Sequence, residues 1–101
     1  MKPFLICAVQ VKIVPLGIDK NVDRCISIVK QLCKKYKPDI IVFPETVTTG
    51  FSLDTKVIPN IYTELKKKIP IVYTQVGEAA KTCKTNIVFT TYEPSNIKNK
   101  F

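Results

Sequence analysis

Histidine is absent from this 101-residue sequence, arginine occurs once, as Arg24, and glycine three times. Each scarcity removes a class of protein. With no histidine, and no Cys-x-x-Cys pair among Cys7, Cys25, Cys33 and Cys83, there is no ligand set of the zinc-finger kind. No run approaches the ~20 apolar residues that a membrane helix needs. The apolar stretch after Met1 and Lys2 is interrupted by Lys12 and lacks a small-residue cleavage site, so no signal peptide is expected. Three glycines and seven prolines exclude collagen-like and glycine-rich low-complexity sequence. A single arginine leaves the chain without the bidentate forks that read base edges. No internal repeat is present.

What is present describes one small globular domain. Hydrophobic residues make up 46% and charged residues 24%, an ordinary balance that argues against disorder. The length allows a single core and no second domain. Sixteen basic against eight acidic residues leave a net charge of +8. The lysines are dispersed over several elements, which reads as a solvated surface rather than a nucleic-acid interface. Lys66-Lys67-Lys68 is the one tight cluster, and no aromatic interleaves it. Lys34-Lys35-Tyr36-Lys37 suits a helix C-terminus, where cations meet the negative end of the macrodipole. Reduced thiols and a cytoplasmic location are the expectation.

The pattern predicts alternating strands and helices. Phe4 to Val14, nearly all apolar and rich in β-branched residues, reads as a central strand covered on both faces. Pro15-Leu16-Gly17 punctuates the chain. Asp19 to Tyr36 has helical spacing, with Val22, Cys25, Ile26, Val29, Leu32, Cys33 and Tyr36 on one buried face and Asp19 as N-cap. Pro38 stops that helix. Asp39 to Phe43 is a short buried strand ended by Pro44, which has no N–H for the ladder. Strand, helix and strand in this order make a parallel crossover unit. Residues 52 to 69 are less clear. Pro59 can open a short helix ending in the lysine triplet, and Pro70 a second with Val72, Val76, Ala79, Ala80 and Cys83 inside. Asn86 to Tyr92 reads as a third strand.

Glu45 is the most informative residue. It stands immediately beyond the C-terminal end of a buried parallel strand, where open α/β sheets gather ligands and catalytic groups. Beside apolar Phe43 and Val47, a carboxylate there can serve as a general base. The competing reading is a loop carboxylate that caps the next element or pairs with a lysine. Thr48-Thr49-Gly50-Phe51 either lines a pocket entrance, with Thr49 and Phe51 the candidates, or only turns the chain away from the sheet. Cys25 and Cys33 lie on the apolar stripe and read as packed thiols. Cys7 falls inside the first strand. Cys83, followed by Lys84-Thr85, reads as a helix thiol.

Phe43-Pro44-Glu45 followed by Thr49-Gly50-Phe51 resembles the first catalytic motif of the nitrilase, or carbon–nitrogen hydrolase, superfamily. The flanking order agrees. Ala8-Val9-Gln10 looks like that family's opening strand, and Asn21 sits where the family often has an asparagine. Pro38-Asp39-Ile40-Ile41-Val42 looks like its lead-in to the glutamate. The helix before Asn86-Ile87-Val88-Phe89 is similar to its helix-then-strand step.

The resemblance implies the N-terminal portion of an α-β-β-α sandwich, a partial hydrolase domain over residues 1–101. It also implies a Glu-Lys-Cys catalytic set, with Glu45 as general base and a small amide, nitrile or carbamoyl compound as substrate. No metal or organic cofactor is implied. The family's lysine motif and its cysteine motif are both missing, because in that family they lie on later strands. The chain is therefore expected to be inactive alone and to act only when a C-terminal portion or a second chain completes it. The alternative is a non-catalytic interaction or oligomerisation module built on the same partial fold. Three apolar strands covered by helices on one face leave the other face open, which favours association.

Overall fold

A computed structural model describes residues 3–51 and 54–101. Met1, Lys2, Ser52 and Leu53, which the sequence reading touched at the chain start and in the unclear stretch from residue 52, lie outside the described residues. The element order is β1 (Ile6–Ala8), α1 (Ile18–Lys35), β2 (Ile40–Val42), α2 (Ile58–Cys83) and β3 (Asn86–Val88). The three strands form one parallel sheet in the order β1-β2-β3. Cys7 pairs with Ile41, and Ile41 with Ile87. This is a small α/β domain of two consecutive crossover units. Among the described residues no helix is long and apolar enough to cross a membrane.

Strand alternation decides what each face meets. Cys7, Ile41 and Ile87 share the face that packs with Cys25, Val29 and Ala79 of the helices. Ile41 is fully buried there. The register puts Ile6, Ile40 and Asn86, then Ala8, Val42 and Val88, on the other face. That face is open: Ile6 is 58% and Val88 48% exposed. Both helices lie on one side because successive crossovers progress in one direction along the sheet with one hand.

The long first strand of the sequence reading is not formed. Only Ile6–Ala8 join the ladder, and β1 is an edge strand rather than a central one covered on both faces. The reason lies in its partner. β2 ends at Val42 and the chain turns at Pro44, so nothing remains to pair with residues beyond Val9, whose N–H reaches the Val42 carbonyl at 2.9 Å. Residues 9–13 still alternate, with Val9, Val11 and Ile13 half-buried and Gln10 and Lys12 exposed. The period-two pattern thus marks packing without pairing. The third strand is shortened for the same reason, to Asn86–Val88 instead of Asn86 to Tyr92.

Helix α1 follows the predicted spacing, with Ile18, Asn21, Val22, Cys25 and Val29 buried. Its start differs. Gly17 holds the N-cap position without a side-chain cap, and Asp19 lies in the first turn. Gly17 is required by space, since a Cβ there would come within 2.9 Å of Val14 Cγ1. Asp19 instead favours the positive helix end and meets Lys68 Nζ at 2.8 Å. Tyr36 is the C-cap and half exposed, not part of the buried stripe.

The two helices expected around Pro59 and Pro70 are one. α2 runs 26 residues with Pro59 near its start and Pro70 inside it. Proline costs a helix interior about 3 kcal/mol relative to alanine. The buried series Ile61, Leu65, Ile69, Val72 and Ala79 runs through the proline without losing helical phase, so tertiary packing outweighs that cost. Pro70 and Lys66, whose carbonyl loses its partner, are both exposed, so water can satisfy that carbonyl.

Candidate functional site

Glu45 follows Pro44 at the C-terminal edge of the middle strand. Its side chain is exposed, and among the described residues its carboxylate makes no hydrogen bond or ion pair. Among the described residues it neither caps an element nor pairs with a lysine. Phe43 and Val47 turn into the core, at 6% and 3% exposure, so the apolar surroundings expected for the carboxylate are not there. Glu45 stands in water at the rim of the sheet.

The turn that carries it is rigidly tied. Thr46, Val47, Thr48 and Thr49 are all buried, an unusual state for a loop. Their polar groups therefore need partners. The Thr46 N–H donates to Thr90 Oγ1 at 2.7 Å, and Thr46 Oγ1 to the Glu45 carbonyl at 2.8 Å. The hydroxyls of Thr48 and Thr91 bond to each other. Thr49 Oγ1 donates to the Gly50 carbonyl at 2.9 Å. The Gly50 N–H returns to the Thr46 carbonyl at 2.8 Å, with Gly50 at φ +85°, a conformation that suits glycine.

Asn21 is the second anchor. Its Nδ2 donates to the Thr48 carbonyl at 2.7 Å and to the Val14 carbonyl at 2.8 Å. Its Oδ1 accepts from the Val14 N–H at 2.8 Å. One buried amide thus joins the loop before α1 to the turn after β2. The Leu16 N–H adds a bond to the Thr49 carbonyl at 2.9 Å. Beyond the turn, Tyr92 Oη donates to the Phe51 carbonyl at 2.6 Å, while the Phe51 ring is 68% exposed. The contacts of Thr49 are those of a residue holding the turn. Phe51 is accessible.

The space around these residues is shallow. The interior void between the helices and the sheet, lined by Val22, Val29, Phe43 and Val76 among others, holds about 10 Å³, at most a single water. A groove of about 750 Å³ opens between α1 and α2, lined by Asp23, Lys30, Gln75 and Glu78, and it does not reach Glu45, Thr49 or Phe51.

The cysteines lie elsewhere. Cys25 is buried, and burial pushes its thiol up to about 11, with Arg24 opposing. Cys33 is pushed up to about 12, first by burial, then by a hydrogen bond with Cys83 and the proximity of Cys83 and Cys7. Neither offers a thiolate at neutral pH. Cys33 and Cys83 occupy the last turns of α1 and α2, which return the chain to the starting edge of the strands. Glu45 stands at the finishing edge, so no thiol here serves it as nucleophile. The convergence of Cys7, Cys33 and Cys83 escaped the sequence reading. Its available signal was that each is an inward residue of its own element. Among the described residues no three His, Cys, Asp or Glu side chains are grouped to hold a metal ion.

The lysines form no single patch around the turn. Lys68 bridges Asp19 and Glu64 at 2.8 Å each, and these bonds raise its pKa. Lys66 and Lys35 lie over the rings of Tyr62 and Tyr36.

Fold and site together define a small parallel α/β domain with an exposed carboxylate on a buried, threonine-rich turn at the carboxyl edge of its sheet. Compared with models of known families and with curated proteins, the chain matches none.

Proposed function

We propose that this chain is the N-terminal part of a carbon–nitrogen hydrolase of the α-β-β-α type, with Glu45 as its general base. The observation that carries the reading is the exposed carboxylate of Glu45 on the turn at the carboxyl edge of β2, a turn whose backbone Asn21 and the buried threonines tie down, within the Phe43-Pro44-Glu45 sequence. The open sheet face supports it too, since a second sheet would bury that face. On this reading the lysine and the cysteine nucleophile come from residues outside this sequence or from a second chain. Glu45 takes the thiol proton, the thiolate attacks the carbon of an amide, nitrile or carbamoyl group, and water releases the acid from the thioester. Phe51 is the accessible candidate for contact with substrate.

The test is ammonia release from a panel of small amides and nitriles, measured on the assembly purified from its native source. The assembly is expected to turn over, and the 101-residue chain alone is not. Glu45→Gln, nearly isosteric, is expected to abolish turnover without moving the unfolding midpoint. Unchanged turnover sinks the assignment.

The open face supports a second reading, a non-catalytic module that pairs with another copy of itself. Ile6 on β1 and Val88 on β3, the two edge strands, are exposed apolar residues of that face. Sedimentation then gives a dimer that Val88→Lys dissociates; a monomer at all concentrations removes this reading.

A further inference from the structure

The ends of both helices and the starts of all three strands share one edge of this domain. α1 ends at Lys35 and α2 at Cys83. The Asp39 N–H donates to the Leu5 carbonyl at 2.9 Å and the Asn86 N–H to the Asp39 carbonyl at 3.0 Å, so the strands start level. Adjacent strands lie ~4.8 Å apart, which keeps the three starts within about 10 Å of one another. The lysines are dispersed along the sequence, and the fold collects five of them here. Lys34, Lys35 and Lys37 surround the end of α1, and Lys81 and Lys84 the end of α2. All five are exposed, and among the described residues none is in an ion pair. Asp39 is the nearby carboxylate, and it accepts the Leu5 N–H at 2.8 Å. The two helix ends add roughly half a negative charge each, so the edge keeps a net charge of about +3.

Apolar side chains stand among these lysines. Phe4, Leu5 and Tyr36 are exposed, Phe4 at 64%. Phe4 and Leu5 lead into the start of β1, and Lys35 Nζ lies 5.1 Å from the centre of the Tyr36 ring. A solvated lysine surface has no need of an exposed phenylalanine and leucine beside it.

We propose that this edge docks the domain on an anionic lipid surface, with the five lysines on the headgroups and Phe4, Leu5 and Tyr36 entering the boundary beneath them. The chemistry of the edge chooses that occupant. Lysine meets a headgroup as a point charge and needs no bidentate fork. The single arginine, Arg24, is committed to the Lys12 carbonyl at 2.8 Å. A single-stranded nucleic acid would use lysines and rings for backbone contact and stacking, but Leu5 has no ring to stack. Interfacial docking uses aliphatic and aromatic groups alike beside basic ones. Glu45 and its turn lie at the opposite edge of the sheet, so docking here leaves them in water whatever Glu45 does.

The 101-residue chain is floated with vesicles of phosphatidylcholine alone and of equal parts phosphatidylcholine and phosphatidylserine. It is expected to float with the mixed vesicles and not with the neutral ones, and to be released as salt rises. Each lysine near an anionic surface strengthens binding about fivefold, so Lys37→Gln with Lys84→Gln is expected to weaken it about 25-fold. Lys56→Gln with Lys67→Gln removes the same charge away from this edge and is expected to weaken binding by less than about fivefold. The sequence has no tryptophan, so Phe4→Trp supplies a single fluorophore. Its emission is expected to shift to the blue with the mixed vesicles only, as the ring leaves water. Equal binding to neutral vesicles, no binding to mixed ones, equal weakening by the two double variants, or an unshifted emission would each overturn the proposal. So would tighter binding to a single-stranded oligonucleotide than to the mixed vesicles at matched anionic charge. All five substituted positions are exposed, and flotation of the unmodified chain is read without any variant.

Discussion

Replacing Asn21 by alanine removes the amide that joins the two loops at the carboxyl edge of the sheet. The side chain is 3% exposed and makes three hydrogen bonds, all to backbone groups. Each such bond contributes about 1 kcal/mol net, and a buried group left unpaired costs ~1–3 kcal/mol. The Thr48 carbonyl bond is wholly buried and the two Val14 bonds are partly so, which places the first at ~2 kcal/mol and each of the others at ~1 kcal/mol or a little less. The sum is a loss of about 3–4 kcal/mol. That is a large share of the ~5–15 kcal/mol that holds a domain of this size together. The same loss lowers the melting temperature by roughly 12–32 °C, at ~4–8 °C per kcal/mol. Asn21→Asp is expected to cost at least as much. A carboxylate still accepts from the Val14 N–H, but it turns an acceptor toward two carbonyls. The assay is urea unfolding at neutral pH, with hydrogen exchange of the Val14 amide as a local readout. A loss below about 1 kcal/mol for Asn21→Ala, with Val14 still protected, would refute this account of the turn.

Pro70→Ala restores a donor for the Lys66 carbonyl in the middle of α2. It is expected to raise the unfolding free energy by about 1–3 kcal/mol in urea titrations; a decrease would mean that the proline itself helps packing. Alkaline stability follows from the thiols. Cys25 rises from 9.0 to about 11 on folding, so the native state holds its proton more tightly. The stability from this group is complete below pH 9.0 and is lost as pH rises toward 11. The unfolding free energy from urea titrations is expected to fall across that window, by on the order of 2 kcal/mol for Cys25. Cys25→Ala should flatten the slope while lowering stability at neutral pH; an unchanged slope would disprove the assignment.

Helix α1 was legible in the sequence because its apolar positions recur at helical spacing and Pro38 lies beyond its end. The core of β2 and its stop at Pro44 were legible for similar local reasons. The longer strands around β1 and β3 were misjudged, since alternation reports which side chains are buried and not whether a neighbour is long enough to pair. The break expected at Pro70 was misjudged too. A local penalty of about 3 kcal/mol was set against a stripe of buried residues whose energy depends on α1 and the sheet lying beneath it. Glu45 was legible as a position, at the carboxyl end of a strand. Its exposure was not, because which way Phe43 and Val47 turn is decided by the core.

By itself the sequence determined the alternation of strands and helices, the crossover order, the buried face of α1 and the stop at Pro44. These depend on residues a few positions apart. The tertiary structure alone decided that Asn21 reaches the threonine turn and that Cys33 and Cys83 pack against one cluster. Those outcomes join residues 27 and 50 positions apart. No local pattern carries that information, because the free energy that brings such residues together belongs to the packed core as a whole.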